Sequence, residues 1–323
     1  MLKSVRRGIM QPDFTNKKSI RAAIGEEITE LGRCNGDIVV LDADLSSSTK
    51  TSIFAKEFPK RFFNVGIAEQ NLITTSLGLS LTGKIPFIAS FAVFATGRTY
   101  DQVRNSVCYQ KANVKIIGAH GGITVGEDGA SHQALEDVAL MRMLPNMTVI
   151  CPCDSEQSRQ AVRYASEING PVYIRSSRID VPVIYDSDYK FSPDKAVILK
   201  HGTDVTIISN GDIFAEVYQA VLSLENQGIS AELINMPVIK PFDSDTIIKS
   251  AKKTKSVVTV ENHSIIGGLG SAVAECLSEN YPVKIHRFGI NDEFGQSGSP
   301  KELLAYYKLD AENITKRILE IVK

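Results

Sequence analysis

Short runs rich in apolar and β-branched residues recur along this chain, with helix-length segments between most of them. They fall at 38–41, 62–65, 86–91, 114–118, 148–151 and 172–175, and resume after a break at 205–209, 231–234, 257–260 and 283–285. A strand that is apolar on both faces needs cover on both faces. Such strands alternating with helices therefore predict a parallel sheet between two helical layers. Ile20, Ile24, Ile28 and Leu31 share one helical face just ahead of the first run. Between the two series, residues 180–194 carry Pro182 and Pro193 and lack a helical period, which puts a boundary near 185–195. The expected fold class is α/β, with two domains, each a mainly parallel sheet flanked by helices, over 15–190 and 191–323. Length agrees, since 323 residues at roughly 150 per domain make two.

Composition removes several function classes. Apolar residues at 43% and charged residues at 23% exclude a disordered, collagenous or coiled-coil chain. With 36 basic against 37 acidic side chains the net charge is -1, so bulk charge points to neither nucleic acid nor a membrane surface. Cys34, Cys108, Cys151, Cys153 and Cys276 are scattered and odd in number, which fits a reducing, cytoplasmic setting. Cys151 and Cys153 have no Cys or His close downstream to complete a zinc site. No apolar run follows Lys3, Arg6 and Arg7, so the start does not read as a secretory signal. The most apolar stretch, 72–97, is cut by Gly83-Lys84-Ile85-Pro86 into a helix length and a strand length. It reads as core rather than a membrane span.

Three features could carry chemistry. Residues 121–129, Gly-Gly-Ile-Thr-Val-Gly-Glu-Asp-Gly, follow a strand directly and are flanked by His120 and His132. In open parallel sheets ligands bind beyond the carboxyl ends of strands. The segment is thus either a ligand loop or a flexible connection with surface imidazoles. Its spacing is not that of a phosphate loop. Glu69 opens a helix after the run at 62–65. There it either complements the helix dipole or sits among apolar neighbours with a raised proton affinity. Gly267-Gly268-Leu269-Gly270 lies between a strand and a helix but lacks dinucleotide spacing, and a tight connection accounts for it.

Four stretches in order resemble the transketolase family: Phe63-Asn64-Val65-Gly66-Ile67-Ala68-Glu69-Gln70, Ser90-Phe91-Ala92-Val93-Phe94, Tyr100-Asp101-Gln102-Val103-Arg104, and Gly126-Glu127-Asp128-Gly129-Ala130-Ser131-His132-Gln133. Leu135-Glu136-Asp137 and Leu144-Pro145-Asn146 continue the match. The resemblance implies a pyrimidine-binding domain followed by the family's C-terminal domain, the second half of a full-length enzyme. The half that binds the diphosphate of thiamine diphosphate and its Mg2+ or Ca2+ through a Gly-Asp-Gly motif has no counterpart in this sequence. The resemblance therefore implies a C-terminal subunit that works with a separate N-terminal subunit, as a heterotetramer containing a second copy of this chain.

Residue roles follow from the same resemblance. Glu69 matches the carboxylate that hydrogen-bonds a ring nitrogen of the aminopyrimidine and favours its imino tautomer. Phe94 matches the aromatic packed on that ring, with Phe91 beside it. His120, Asp128 and His132 match positions facing the substrate and the cofactor's amino group, with the imidazoles able to move protons near neutral pH. Arg21, Ser48 and Arg178 match the site of the substrate's terminal phosphate, a task suited to guanidinium groups. Two departures stand out. Gly97 precedes Arg98 where some relatives have a shorter Thr-Arg link, and position 132 is Gln in some relatives. The implied activity is transfer of a two-carbon ketol unit from a ketose phosphate to an aldose phosphate. The β subunit of a 2-oxoacid dehydrogenase's decarboxylating component and a non-catalytic scaffold are the rival readings.

Overall fold

The computed structural model describes Gly8 and residues 12–322. Lys3, Arg6 and Arg7 lie outside the described residues.

The first sheet has seven strands in the order Val238–Lys240, Thr148–Ile150, Val172–Arg175, Lys115–Ala119, Ile85–Phe91, Ile38–Asp42 and Phe62–Asn64. Every neighbouring pair is parallel except the first, where Val238–Lys240 runs antiparallel to Thr148–Ile150. The second sheet orders Ile285–Ile290, Val257–Ser264, Val205–Ser209, Ala231–Asn235 and Val197–Lys200, with only the last pair antiparallel. Its central strands are buried along their whole length, which is why they are predominantly apolar, with Thr206, Ser209, Glu232 and Asn235 as buried polar members.

Three differences from the sequence reading have two causes. Asp180–Pro182, inside the turn-rich stretch, is a strand paired antiparallel with Lys17–Ser19. Val238–Lys240 belongs to the first sheet although it lies in the second span. Three residues are too few to establish a period, so only the distant partner defines such strands. The run at 283–285 instead yields the strand Ile285–Ile290, where half-exposed positions give way to buried Phe288 and Ile290. This strand ends the sheet and is solvated at its start, so its apolar signal is interrupted.

Helix Ile20–Cys34 starts where Ser19 Oγ accepts the Ala22 N–H at 3.2 Å, a regular N-cap. A Cβ at Gly25 would lie 2.5 Å from the Lys50 carbonyl, so glycine there lets the Ser46–Thr49 segment lie against the helix. Among the described residues no helix is long and apolar enough to cross a membrane. All five cysteines are free thiols, and only Cys34 is exposed.

Candidate active site

Parallel strands of the first sheet deliver the site residues at their carboxyl ends. Ile38–Asp42 leads to Ser48, Phe62–Asn64 to Glu69, Lys115–Ala119 to His120, and Val172–Arg175 to Arg178. Ile85–Phe91 ends on Phe91 itself, with Phe94 just beyond. The sheet thus gathers residues remote in sequence along one edge, where open α/β sheets bind ligands. Asp42, fully buried, holds the first of these turns by accepting from Thr49 Oγ1 at 2.8 Å and Thr51 Oγ1 at 2.9 Å. Burial pushes its carboxyl above the ordinary range, against the pull of those hydrogen bonds.

The residues form one continuous track. At one end Glu69, buried to 4% exposure, accepts from Arg98 Nη1 at 2.7 Å. It opens helix Glu69–Leu81, whose preceding residue Ala68 makes no side-chain cap. The carboxylate therefore serves a side-chain partner and does not lie among apolar neighbours alone. The Arg98 guanidinium also lies over the Phe94 ring, 4.4 Å from its centroid. Phe94 stacks with Phe91 at 6.0 Å between ring centroids and meets His132 edge-on at 5.4 Å. Phe91 carries the track onward to His120 at 4.0 Å. His120 Nε2 faces Arg21 Nη1 at 3.5 Å. Arg21 donates to the carbonyls of Ser48 and Arg178, each at 2.7 Å. Arg178 closes the series, with Nη1 3.3 Å from Glu127 and 3.6 Å from Asp128. Every candidate named from the sequence lies on this track. Ser48 reaches it through its main-chain carbonyl.

Electrostatics correct one expectation. His120 is buried and has φ 60, a left-handed conformation that histidine tolerates better than most residues. Burial, then the charges of Arg21, Arg178 and His132, push its pKa down to about 3. It is neutral near pH 7 and does not titrate there in this state, unlike the mobile-proton role expected of it. Arg21 can only donate, so His120 presents the Nε2 lone pair to it, and Nδ1 carries the hydrogen. His120 Nδ1 and Arg21 Nε are both buried without a protein partner. A buried donor without a protein partner can take an incoming acceptor.

The glycine-rich segment is no flexible connection. Residues 121–126 are buried, and the second half of the chain clamps them. Asn262 Oδ1 accepts from Ile123 N at 2.9 Å, and its Nδ2 reaches Thr124 Oγ1 at 3.1 Å and Asp212 Oδ2 at 3.1 Å. Gln133 Nε2 donates to the carbonyls of Ile123, Gly126 and Gln296. Gly122, at φ +81, leaves room for Asn262, because a Cβ would lie 2.3 Å from that side chain. Sequence reasoning missed Asn262, Asp212 and the role of Arg98. The one local signal was the extra Gly97 beside Arg98, which the chain absorbs in a π-helical turn, Phe94–Arg98.

Gly267-Gly268-Leu269-Gly270 is a tight connection with an internal anion. Glu261 accepts from Leu269 N at 2.7 Å and Gly270 N at 2.8 Å, filling the helix N-terminus that a dinucleotide phosphate would need. A Cβ at Gly268 would lie 2.0 Å from Glu261 Oε2.

Comparison with known proteins agrees with this architecture. Residues 16–183 match the family "Transketolase, pyrimidine binding domain", and residues 194–314 match "Transketolase, C-terminal domain". A solved protein described as "Split gene transketolase, inactive beta4 tetramer" is 52% identical, with a TM-score of 0.87 over 94% of this chain and 97% of that one. The 6-deoxy-6-sulfo-D-fructose transketolase subunit SqwH of Clostridium sp. (strain MSTE9) is 43% identical over 296 residues, covering 92% of each chain. A subunit of the apulose-4-phosphate transketolase of Phocaeicola vulgatus is 41% identical over 309 residues, 95% of this chain and 99% of that one. With both domain families and whole-length relatives in agreement, the chain belongs to the transketolase family as a C-terminal, transferase-type subunit of the split form.

Proposed function

We propose that this subunit, joined to a separate N-terminal subunit, transfers a two-carbon ketol unit from a ketose phosphate to an aldose phosphate with thiamine diphosphate. The observation that carries the reading is the track itself. A buried carboxylate beside an aromatic face stands at one end, and Arg21 and Arg178 stand at the other, where Arg21 Nε and His120 Nδ1 have no protein partner.

The recess that this reading places between Glu69 and Phe94 would suit the aminopyrimidine. Glu69 would hold a ring nitrogen, Phe94 would pack on the ring, and His132, with Nδ1 2.9 Å from Ser131 Oγ, would stand at its edge. When bound, thiamine diphosphate supplies a nucleophilic carbon that carries the two-carbon unit between sugars. The chain's own task is to orient and to bind. Neutral His120 and the charges of Arg21 and Arg178 make a positive end for the substrate's terminal phosphate. Asp128, at the rim, accepts from sugar hydroxyls. Among the described residues no group of three or more His, Cys, Asp or Glu side chains is arranged to hold a metal ion. This reading gives the diphosphate and its Mg2+ or Ca2+ to the N-terminal subunit. The convergence of Arg21 and Arg178 favours sugar phosphates over the 2-oxoacid dehydrogenase alternative, and the free thiols suit a cytoplasmic setting.

The similar solved protein is described as an inactive β4 tetramer. By this reading the present chain alone is inactive too, and the working species is a heterotetramer with the cofactor at the joint. Co-purification with the N-terminal subunit, followed by a transfer assay over a donor and acceptor panel, tests it. The panel includes pentose phosphates, 6-deoxy-6-sulfo-D-fructose and apulose 4-phosphate, the last two being the sugars for which the relatives are named. Transfer by the complex and none by the chain alone is the expected result. Micromolar thiamine diphosphate binding by the isolated chain, or no transfer by the complex on any pair, would overturn it.

A further inference from the structure

Arg98 stands in an unusual relation to the recess. Its guanidinium is a flat, nitrogen-rich group that donates to Glu69 at 2.7 Å and lies over the Phe94 ring at 4.4 Å. A planar nitrogen heterocycle bound between the same carboxylate and the same ring would need both of those contacts. Arg98 holds Glu69 Oε1 and covers one face of Phe94, so a heterocycle that used that oxygen and that face would have to displace it.

Mobility is unequal within the pair. Glu69 is 4% exposed and fixed in the first turn of helix Glu69–Leu81, whereas the Arg98 side chain is 47% exposed. The Arg98 main chain is tied to that helix, because its carbonyl accepts from Gln70 Nε2 at 3.3 Å. Only the long side chain is free to leave. A buried carboxylate without a partner is costly, so something must satisfy Glu69 while the recess holds no cofactor. Phe94 and Arg98 are the two ends of the π-helical turn that accommodates Gly97, and widened turns of this kind recur at functional sites.

We propose that Arg98 is a built-in ligand of the pyrimidine recess, paired with Glu69 and stacked on Phe94 until thiamine diphosphate displaces its guanidinium. This rests on the reading of the recess given above. Such a placeholder keeps the buried carboxylate satisfied in the free chain and lowers cofactor affinity by the cost of its own removal. Linkage makes the effect reciprocal. Stability that Arg98 gives the cofactor-free protein must reappear as tighter binding once Arg98 is removed.

The test is calorimetric titration of thiamine diphosphate with magnesium into the complex with the N-terminal subunit, using the parent, Arg98→Met, Arg98→Lys and Phe94→Ala. Thermal melting of each free chain is followed in parallel. Arg98→Met should bind the cofactor about five- to fiftyfold more tightly, while its free chain melts at a lower temperature than the parent. Arg98→Lys keeps the charge without the flat face and should fall between the two, which guards against a Met variant that fails to fold. Phe94→Ala should weaken binding at least tenfold. If Phe94→Ala weakens binding while Arg98→Met and Arg98→Lys bind as the parent does or more weakly, the placeholder is wrong and the recess stands. If Phe94→Ala leaves affinity unchanged, the recess reading itself fails, and the placeholder with it.

Discussion

Arg21 Nη2 donates to the main-chain carbonyl of Arg178 at 2.7 Å, so the first guanidinium at this end of the track braces the strand exit that carries the second. The two arginines therefore have different duties. Arg21 spends its terminal nitrogens on the carbonyls of Ser48 and Arg178, whereas Arg178 faces Glu127 and Asp128 at the rim.

Arg178→Ala should raise KM for phosphorylated sugars roughly tenfold or more, because a charged hydrogen bond contributes ~1.5–3 kcal/mol. On an unphosphorylated donor such as hydroxypyruvate the loss should be small. Arg21→Ala should raise KM as well and also lower the melting temperature, since it strips two carbonyls of their donor. Steady-state kinetics on both donors, with melting curves, separate the two duties. Equal losses on phosphorylated and unphosphorylated donors would show that Arg178 does not read phosphate.

Glu69→Gln keeps the shape of the side chain but cannot share a proton with the aminopyrimidine. Deuterium exchange at the thiazolium carbon of cofactor bound to the complex should slow by roughly two orders of magnitude or more. Melting temperature should change little, because Gln leaves no unpaired charge buried and the freed guanidinium is half exposed. An exchange rate within a few-fold of the parent would leave Glu69 a structural carboxylate and favour a scaffold role.

His120 gives the protein an acid limit. Its pKa is about 3 folded against 6.5 as the ordinary value, so below the latter the unfolded chain takes up a proton that the folded chain refuses. Its contribution to stability is present above pH 6.5 and is lost as pH falls from there toward about 3. The slope for this one group is at most ~1.4 kcal/mol per pH unit. Asn accepts the left-handed backbone at this position, so His120→Asn should fold and lose less stability between pH 7.5 and pH 5. Urea denaturation at the two pH values measures this, and identical acid losses would contradict it.

Two glycine substitutions should have opposite signs. Gly122→Ala places a Cβ 2.3 Å from Asn262 at φ +81, and should cost more than ~2 kcal/mol and raise KM by shifting Asp128. Gly78 lies inside helix Glu69–Leu81 with nothing within 4 Å of the Cβ it would gain. Gly78→Ala should stabilise the free chain by ~0.5–1 kcal/mol. Denaturant midpoints compare the two, and a neutral Gly122→Ala would mean that the clamp yields.

What could be read in the sequence was what local pattern encodes. Val205–Ser209 is a central strand buried along its length, and its apolar run marks both of its ends. Val238–Lys240 gave no such mark, because its identity comes from Thr148–Ile150 far away in the chain. The track from Glu69 to Arg178 was legible through ordered motifs, each placed by a strand end. The Asn262 clamp was not, because it depends on how the second sheet packs against the first. Glycines at 121–129 suggest looseness in isolation. Against the opposing side chains they are the means of close approach.

The antiparallel strand Val238–Lys240 carries a further implication for how this protein can be cut. A chain ending near residue 190 would contain all four ordered stretches that resemble the family, yet would leave the Thr148–Ile150 edge with its hydrogen-bonding groups bare. Bare edges pair with whatever strand they meet, and aggregation is the usual outcome. The remaining piece would carry a strand with no sheet to join. The two halves are therefore not interchangeable cassettes: a chimera that swaps the C-terminal portion between relatives must also import a compatible edge, or it will be lost to inclusion bodies before its specificity can be measured.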